Sequence, residues 1–241
     1  MSAIPSANLL GYPVHLVDQA SALSVFKSHL NARQNCHVVT LNPEMLMQGE
    51  SDSELGAVLK QADLTIPDGA GVVWALNKQG HSIERLPGIE LSEACLSYAA
   101  SHHKRVALIG ASPEVHEAAT QTLKAKYPQL TITYAHHGYM NDEKAVAEAC
   151  AATHPDFVFV GLGVPKQEFW INRYKNLFHG SVFIGVGGSL DVWSGLKQRA
   201  PDFFLKTNLE WFYRISSEPW RIKRTYKTLP LFVIKVLMSQ S

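Results

Sequence analysis

The run His37-Val38-Val39-Thr40-Leu41-Asn42-Pro43-Glu44 decides the fold. Five residues of strand type, three of them apolar and without strict alternation, empty into a polar turn, and a helical window near 44–60 follows. A short strand with no polar face is buried on both sides, which is the condition of a strand inside a parallel sheet covered by helices. The same pattern recurs outward from it. Strand-like runs fall at Leu64–Ile66, Arg105–Ile109, Thr131–Tyr134, Phe157–Val160 and Val182–Val186, with helical windows near 70–78, 88–103, 113–126, 141–152 and 166–177 between them. Helix starts carry local signals: Ser112-Pro113-Glu114 sets a cap, a first-turn proline and an acid in order, and Asn141-Asp142-Glu143 does so without the proline. The expected fold is a doubly wound, Rossmann-like α/β domain with a mostly parallel sheet.

The remaining composition bounds the function. The chain has 241 residues, 46% hydrophobic and 18% charged, enough to bury a full core. Its net charge of +1 points to neither a nucleic-acid binder nor an acidic tail. That sum hides a split: residues 197–241 hold nine Lys/Arg against Asp202, Glu210 and Glu218, so the basic charge is a property of the C-terminus. Aromatic and basic residues interleave there (Phe203, Phe204, Trp211, Arg214, Trp220, Arg221, Arg224, Tyr226), and Pro219 suggests a new helix. The expected division is a catalytic core over residues 1–197 and a basic, aromatic, helical appendage over 198–241. Cys36, Cys95 and Cys150 form no metal-binding or disulfide spacing, which suits a reducing compartment. With no secretory leader and no long apolar run, a cytoplasmic protein attached at a membrane surface is expected. The ten-residue segment Leu229–Met238 is expected either to insert shallowly into lipid or to pack between protomers of a homo-oligomer.

In an open parallel sheet ligands bind beyond the C-terminal strand ends. Those ends here carry Thr40 and Asn42, Asp68 before Gly69-Ala70-Gly71, Gly161-Leu162-Gly163 before Lys166-Gln167-Glu168, and Gly185-Val186-Gly187-Gly188. A carboxylate such as Asp68 between a strand and a glycine turn can serve as a general base, or can cap the following helix. Thr40 and Asn42 can bind a sugar or nucleotide, or bond their own turns. Neither glycine loop completes the dinucleotide fingerprint, because Lys166 and Leu190 occupy the last glycine positions. No cofactor is expected. The pairs His102-His103 and His136-His137 point apart, and no D-x-D pattern occurs, so no metal site is expected either. If the chain handles a sugar nucleotide, Arg85, Lys166, Arg214, Arg221 and Arg224 are the candidate cations to neutralise its diphosphate.

Several of these stretches occur together and in order: Thr40-Leu41-Asn42-Pro43-Glu44, Ile66-Pro67-Asp68-Gly69-x-Gly71, Arg85-Leu86-Pro87-Gly88, Gly161-Leu162-Gly163-x-Pro165-Lys166-Gln167-Glu168, and Gly185-Val186-Gly187-Gly188. With Arg199-Ala200-Pro201, Leu209-Glu210-Trp211, Arg214 and Glu218-Pro219-x-Arg221 in the tail, the chain resembles the WecG/TagA/CpsF glycosyltransferases from about Leu9 to Arg224. The resemblance implies a bacterial enzyme of surface-polysaccharide assembly, on the inner face of the plasma membrane. Such an enzyme moves N-acetylmannosamine or a related sugar from a UDP donor to undecaprenyl-diphosphate-linked N-acetylglucosamine, with inversion and without a metal. It implies Asp68 as base, Thr40, Asn42 and Gln167 in the pocket, and Arg214, Arg221 and Arg224 completing the site from the tail. Arg85, Gly88, Lys166 and Gly187 fall in the same motifs as substrate-binding candidates. Two other readings stand beside it: a dinucleotide-dependent oxidoreductase, opposed by the broken fingerprint, and a peripheral membrane protein that binds a nucleotide sugar without turning it over.

Overall fold

The computed structural model describes residues 4–201, 203, 204, 213 and 222–239, the side chains of 222–227 excepted. An antiparallel hairpin comes first, β1 (Ser6–Leu9) and β2 (Tyr12–His15), then α1 (Gln19–Ala32), β3 (Cys36–Leu41), α2 (Pro43–Ser51), α3 (Ser53–Lys60) and β4 (Leu64–Pro67). The chain continues through α4 (Ala70–Lys78), α5 (Gly88–Ser101), β5 (Arg105–Gly110), α6 (Pro113–Lys126), β6 (Thr131–His136), α7 (Glu143–Ala152) and β7 (Phe157–Gly161). It ends with α8 (Lys166–Tyr174), β8 (Val182–Gly185), α9 (Ser189–Trp193) and a tail helix, α10 (Ile222–Met238). Strands β3 to β8 form one six-stranded sheet in the order β4-β3-β8-β7-β5-β6, parallel at every pairing.

The unalternating apolar strands sort by parity onto two covered faces. Val38, Val106, Leu108, Phe157 and Phe159 point into a cluster with α1, α5, α6 and α9. On the opposite face Val39 and Leu41 meet the hairpin, α2, α3, α4 and α10, while Ala107, Ile109, Val158 and Val160 meet α7 and α8. Each phenylalanine fully buried this way contributes about 1.5–3 kcal/mol, and Phe26, Phe157, Phe159, Phe183 and Phe232 are all in that state. The Rossmann-like expectation is met, with a sheet that is wholly parallel.

Local detail departs from expectation where a single side chain decides a boundary. The window 44–60 is two helices, because Asp52 ends α2 and accepts hydrogen bonds from the Glu54 and Leu55 amides to cap α3. At 141–143 the cap is Asp142, which accepts from the Ala145 amide, and not Asn141. Ser112 caps α6 as its sequence suggests. The hairpin and α1 carry no strong periodic signal and were not anticipated.

The tail segment Leu229–Met238 forms the C-terminal part of α10, and its inner face packs on this chain's own core. Phe232 and Val236 are fully buried beside α2 and α4, and Lys235 Nζ pairs with Glu50 Oε2 at 2.8 Å. Its outer face leaves Leu231, Ile234, Leu237 and Met238 exposed. Pro219, the expected helix start, lies outside the described residues.

Two topological features open a site. Strand β3 leads to α2 on one face and its neighbour β8 to α9 on the other, so the chain parts between them. Between α4 and α5, residues 79–87 cross from one face to the other over the strand ends, held by the Leu86 amide donating to the Pro67 carbonyl at 3.0 Å.

Candidate active site

At that crevice lies a cavity of about 470 Å³, within the range of small-molecule sites. Its floor is polar: Thr40, Asn42, Asp68 and Arg85, with the turn Gly185, Val186, Gly188 and Ser189. Its walls are apolar, from Trp74 on α4 and from Leu229, Phe232 and Val233 on α10.

Asp68 follows β4, and its amide and that of Gly69 donate to the Leu41 carbonyl at 3.1 and 3.2 Å, which brings the ends of β3 and β4 together. The following helix, α4, starts at Gly69 with no side-chain cap, so Asp68 does not cap it. Its Oδ1 instead accepts the Gly88 amide of α5 at 3.1 Å, across the cavity floor. That bond fixes one carboxylate oxygen while the half-buried side chain still borders the cavity.

Thr40 is nearly buried, and its hydroxyl donates to the Gly185 carbonyl at 3.4 Å. Gly88 sits directly above it. A Cβ at that position would lie 2.8 Å from Thr40 Cγ2, so only glycine lets the start of α5 come close enough to reach Asp68. Asn42 Oδ1 accepts from the Met45 amide at 2.9 Å and caps α2, the turn-bonding alternative for that oxygen, while the residue still lines the cavity. Arg85 borders the same floor from the crossover segment.

Gln167 and Gly187 stand differently. Gln167 is 2% exposed and absent from the cavity lining. It lies under the β8 turn, its Oε1 accepting from the Gly187 amide at 3.0 Å. Lys166 is exposed and borders a separate depression with Gly138, Tyr139, Asn141, Glu143 and Leu162. Arg214 and Arg221 lie outside the described residues, as do Trp211 and Trp220, and the side chains of Arg224 and Tyr226 are likewise not described.

Among the described residues no group of three or more His, Cys, Asp or Glu is arranged to hold a metal ion. His136 spends Nδ1 on the His137 carbonyl, and His102 stacks on Tyr98. The cysteines are buried, and burial pushes all three thiols up, Cys150 to about 12. A thiol held in that state is no nucleophile near neutral pH.

Sequence reasoning did not find Trp74. Trp74 carries no motif signal in an ordinary helix. The apolar run of α10 was visible in the sequence, but its seat on the cavity was not, because a helix after a long connection has no periodic clue to its partner.

The chain matches, over residues 7–241, the family model described as "Glycosyl transferase WecG/TagA/CpsF family". A relative from Staphylococcus aureus strain MW2 is 40% identical over 204 residues, which is 84% of this chain and 80% of the relative. It is an N-acetylglucosaminyldiphosphoundecaprenol N-acetyl-beta-D-mannosaminyltransferase. Proteins of the same name from strains NCTC 8325 / PS 47 and COL match to the same extent. The chain belongs to the WecG/TagA/CpsF glycosyltransferase family.

Proposed function

We propose that this member of the WecG/TagA/CpsF family transfers N-acetylmannosamine from a UDP donor to undecaprenyl-diphosphate-linked N-acetylglucosamine, inverting the anomeric centre. The observation that carries the reading is Asp68, tied through Gly88 to the floor of a cavity that also presents Thr40, Asn42 and Arg85. The acceptor hydroxyl oxygen attacks the anomeric carbon and Asp68 takes its proton. The bond from that carbon to the UDP oxygen breaks, and the diphosphate leaves with the electron pair. Thr40 and Asn42 position a sugar. Arg85 and the tail arginines Arg214, Arg221 and Arg224 offset the charge that develops on the diphosphate, without a divalent metal.

The names of the relatives support the acceptor and the sugar. The apolar wall from Trp74 and α10 supports a substrate with a lipid part. Among the described residues no helix is long and apolar enough to cross a membrane. The exposed Leu231, Ile234, Leu237 and Met238 suit shallow seating at a bilayer surface instead. Basic residues of the tail add about 1 kcal/mol each near anionic lipid.

The test is release of UDP from a panel of UDP-sugars, with a lipid-diphosphate N-acetylglucosamine analogue, with and without EDTA. Release that needs the acceptor, occurs with UDP-N-acetylmannosamine and survives EDTA supports the reading. Folded protein that binds UDP but releases none from any donor refutes it.

A further inference from the structure

Beneath the cavity floor lies a chain of buried polar groups that the transfer mechanism does not use. His37, on β3, is fully buried, and its Nε2 lies 2.8 Å from Glu168 Oε2 on α8. Glu168 is also fully buried, and its other oxygen, Oε1, accepts from Gln167 Nε2 at 3.0 Å. Gln167 Oε1 in turn accepts the Gly187 amide, in the turn whose neighbours Gly185, Val186 and Gly188 line the cavity.

The direction of every bond follows from the far end. A backbone N–H can only donate, so the Gln167 oxygen faces Gly187 and its NH2 faces Glu168. Glu168 Oε1 must therefore accept, and the hydrogen shared between Oε2 and His37 Nε2 sits on one of those two atoms. Among the described residues His37 Nδ1 is buried with no hydrogen-bond partner, so a hydrogen there, in an imidazolium or in the tautomer that would accept from a protonated Glu168, would be buried with nothing to receive it. The neutral imidazole protonated at Nε2 satisfies the whole chain. Gly185 runs so close to this chain that a Cβ there would lie 2.6 Å from Glu168 Oε1 and would overlap the Gln167 amide. The turn, the amide and the carboxylate are thus one packed unit.

We propose that His37 and Glu168 are positioning residues, which lock the Gln167 amide and through it hold the Gly185–Gly188 turn against Thr40. The inference rests on the transferase reading, since it assigns the pair a part in turnover. A half-filled relay lets the Gln167 amide turn over and frees Gly187. The floor then shifts by a fraction of an ångström, without removing any group that touches substrate.

The experiment compares His37→Leu, which fills the space but donates nothing, with His37→Gln, whose amide can give Glu168 the same hydrogen. Both are assayed per folded molecule, with folded fraction from circular dichroism. The expected result is a fall in kcat of about 100-fold for His37→Leu with KM changed little, and recovery of most of it in His37→Gln. In wild-type protein, nitrogen-15 shifts of the His37 ring should show Nε2 protonated and Nδ1 bare, and the Gly187 amide should exchange slowly with solvent. Wild-type kcat per folded molecule in His37→Leu overturns the proposal. So does a bare Nε2 or a rapidly exchanging Gly187 amide, and these two readouts judge the relay even if His37→Leu does not fold. Wild-type protein that transfers no sugar refutes the transferase reading and leaves those two spectroscopic outcomes standing on their own.

Discussion

Asp68→Asn separates the chemistry of the carboxylate from its place in the fold. The Gly88 amide donates to one oxygen of Asp68 at 3.1 Å. An asparagine keeps an oxygen there, so the bond between the end of β4 and the start of α5 survives as a neutral one. A hydrogen bond to a charged acceptor contributes about 1.5–3 kcal/mol and a neutral one about 0.5–1.5, so the substitution costs about 1 kcal/mol. In a chain of this size that lowers Tm by roughly 2–4 °C. Loss of the base is a different scale: positioned proton transfer contributes about 100-fold to 10,000-fold in rate. Asp68→Asn should therefore remain folded at assay temperature, bind UDP normally and release it from donor plus acceptor at least about 100-fold more slowly. Asp68→Ala removes the acceptor of the Gly88 amide as well and should cost about 1–3 kcal/mol. The assay is acceptor-dependent UDP release beside thermal melts of all three proteins. An Asp68→Asn protein that turns over within a few-fold of wild type would remove Asp68 from the role. A melt as low as that of Asp68→Ala would refute the argument that the carboxamide keeps the Gly88 bond.

Three further outcomes can be measured. Gly88→Ala drives a methyl to 2.8 Å from Thr40 Cγ2 and 3.1 Å from its Cβ; overpacking of this kind costs about 1–3 kcal/mol, and Thr40→Ser, which deletes only Cγ2, should recover part of it in the double variant by thermal melt. Stability should fall on the acid side of neutrality. His116 is lowered below 6.5 by burial, as is His15, so between the folded-state values and 6.5 the unfolded chain binds more protons. Folding free energy from urea titration should thus be level above that window and drop as pH falls through it, and His116→Gln should flatten part of the slope. If α10 seats on lipid, replacing the exposed Leu231 and Ile234 by serine should leave the melt unchanged and sharply reduce sedimentation with anionic vesicles; vesicle binding equal to wild type removes that face from the contact.

The fold was legible because strands buried on both faces leave an unmistakable record: runs such as Phe157–Val160 have no polar side to hide. Strand ends were legible for the same reason, since the first polar residues after each run are where the sheet meets solvent. That places Thr40, Asn42 and Asp68 on one edge. What the sequence does not encode locally is which ends are neighbours. Gly88 lies twenty positions from Asp68, and its packing on Thr40 is a property of the crossover from α4 to α5. The resemblance implies Gln167 in the pocket, and the packing of α8 on β8 places it 2% exposed under the β8 turn. The partner of His37 lies on α8, in a motif already noted for other reasons. A buried hydrogen bond between residues so far apart in sequence becomes visible only once β3, β8 and α8 are packed together.

The division of the cavity into a polar floor and an apolar wall has a consequence for how the tail acts. The floor is built from strand ends, the crossover and the first residue of α9. Apart from Trp74 the wall is different, because Leu229, Phe232 and Val233 come from a helix that starts at Ile222 and is anchored on α2 by Phe232, Val236 and the Lys235–Glu50 pair. That ion pair is partly exposed and contributes at most about 1 kcal/mol, so burial of Phe232 and Val236 does most of the anchoring. Under the proposed reading, the same helix offers lipid its outer face and the substrate its inner one. Seating on a bilayer would then stabilise the docked helix, and with it the apolar wall of the cavity. The enzyme would be most complete where its lipid-linked acceptor resides.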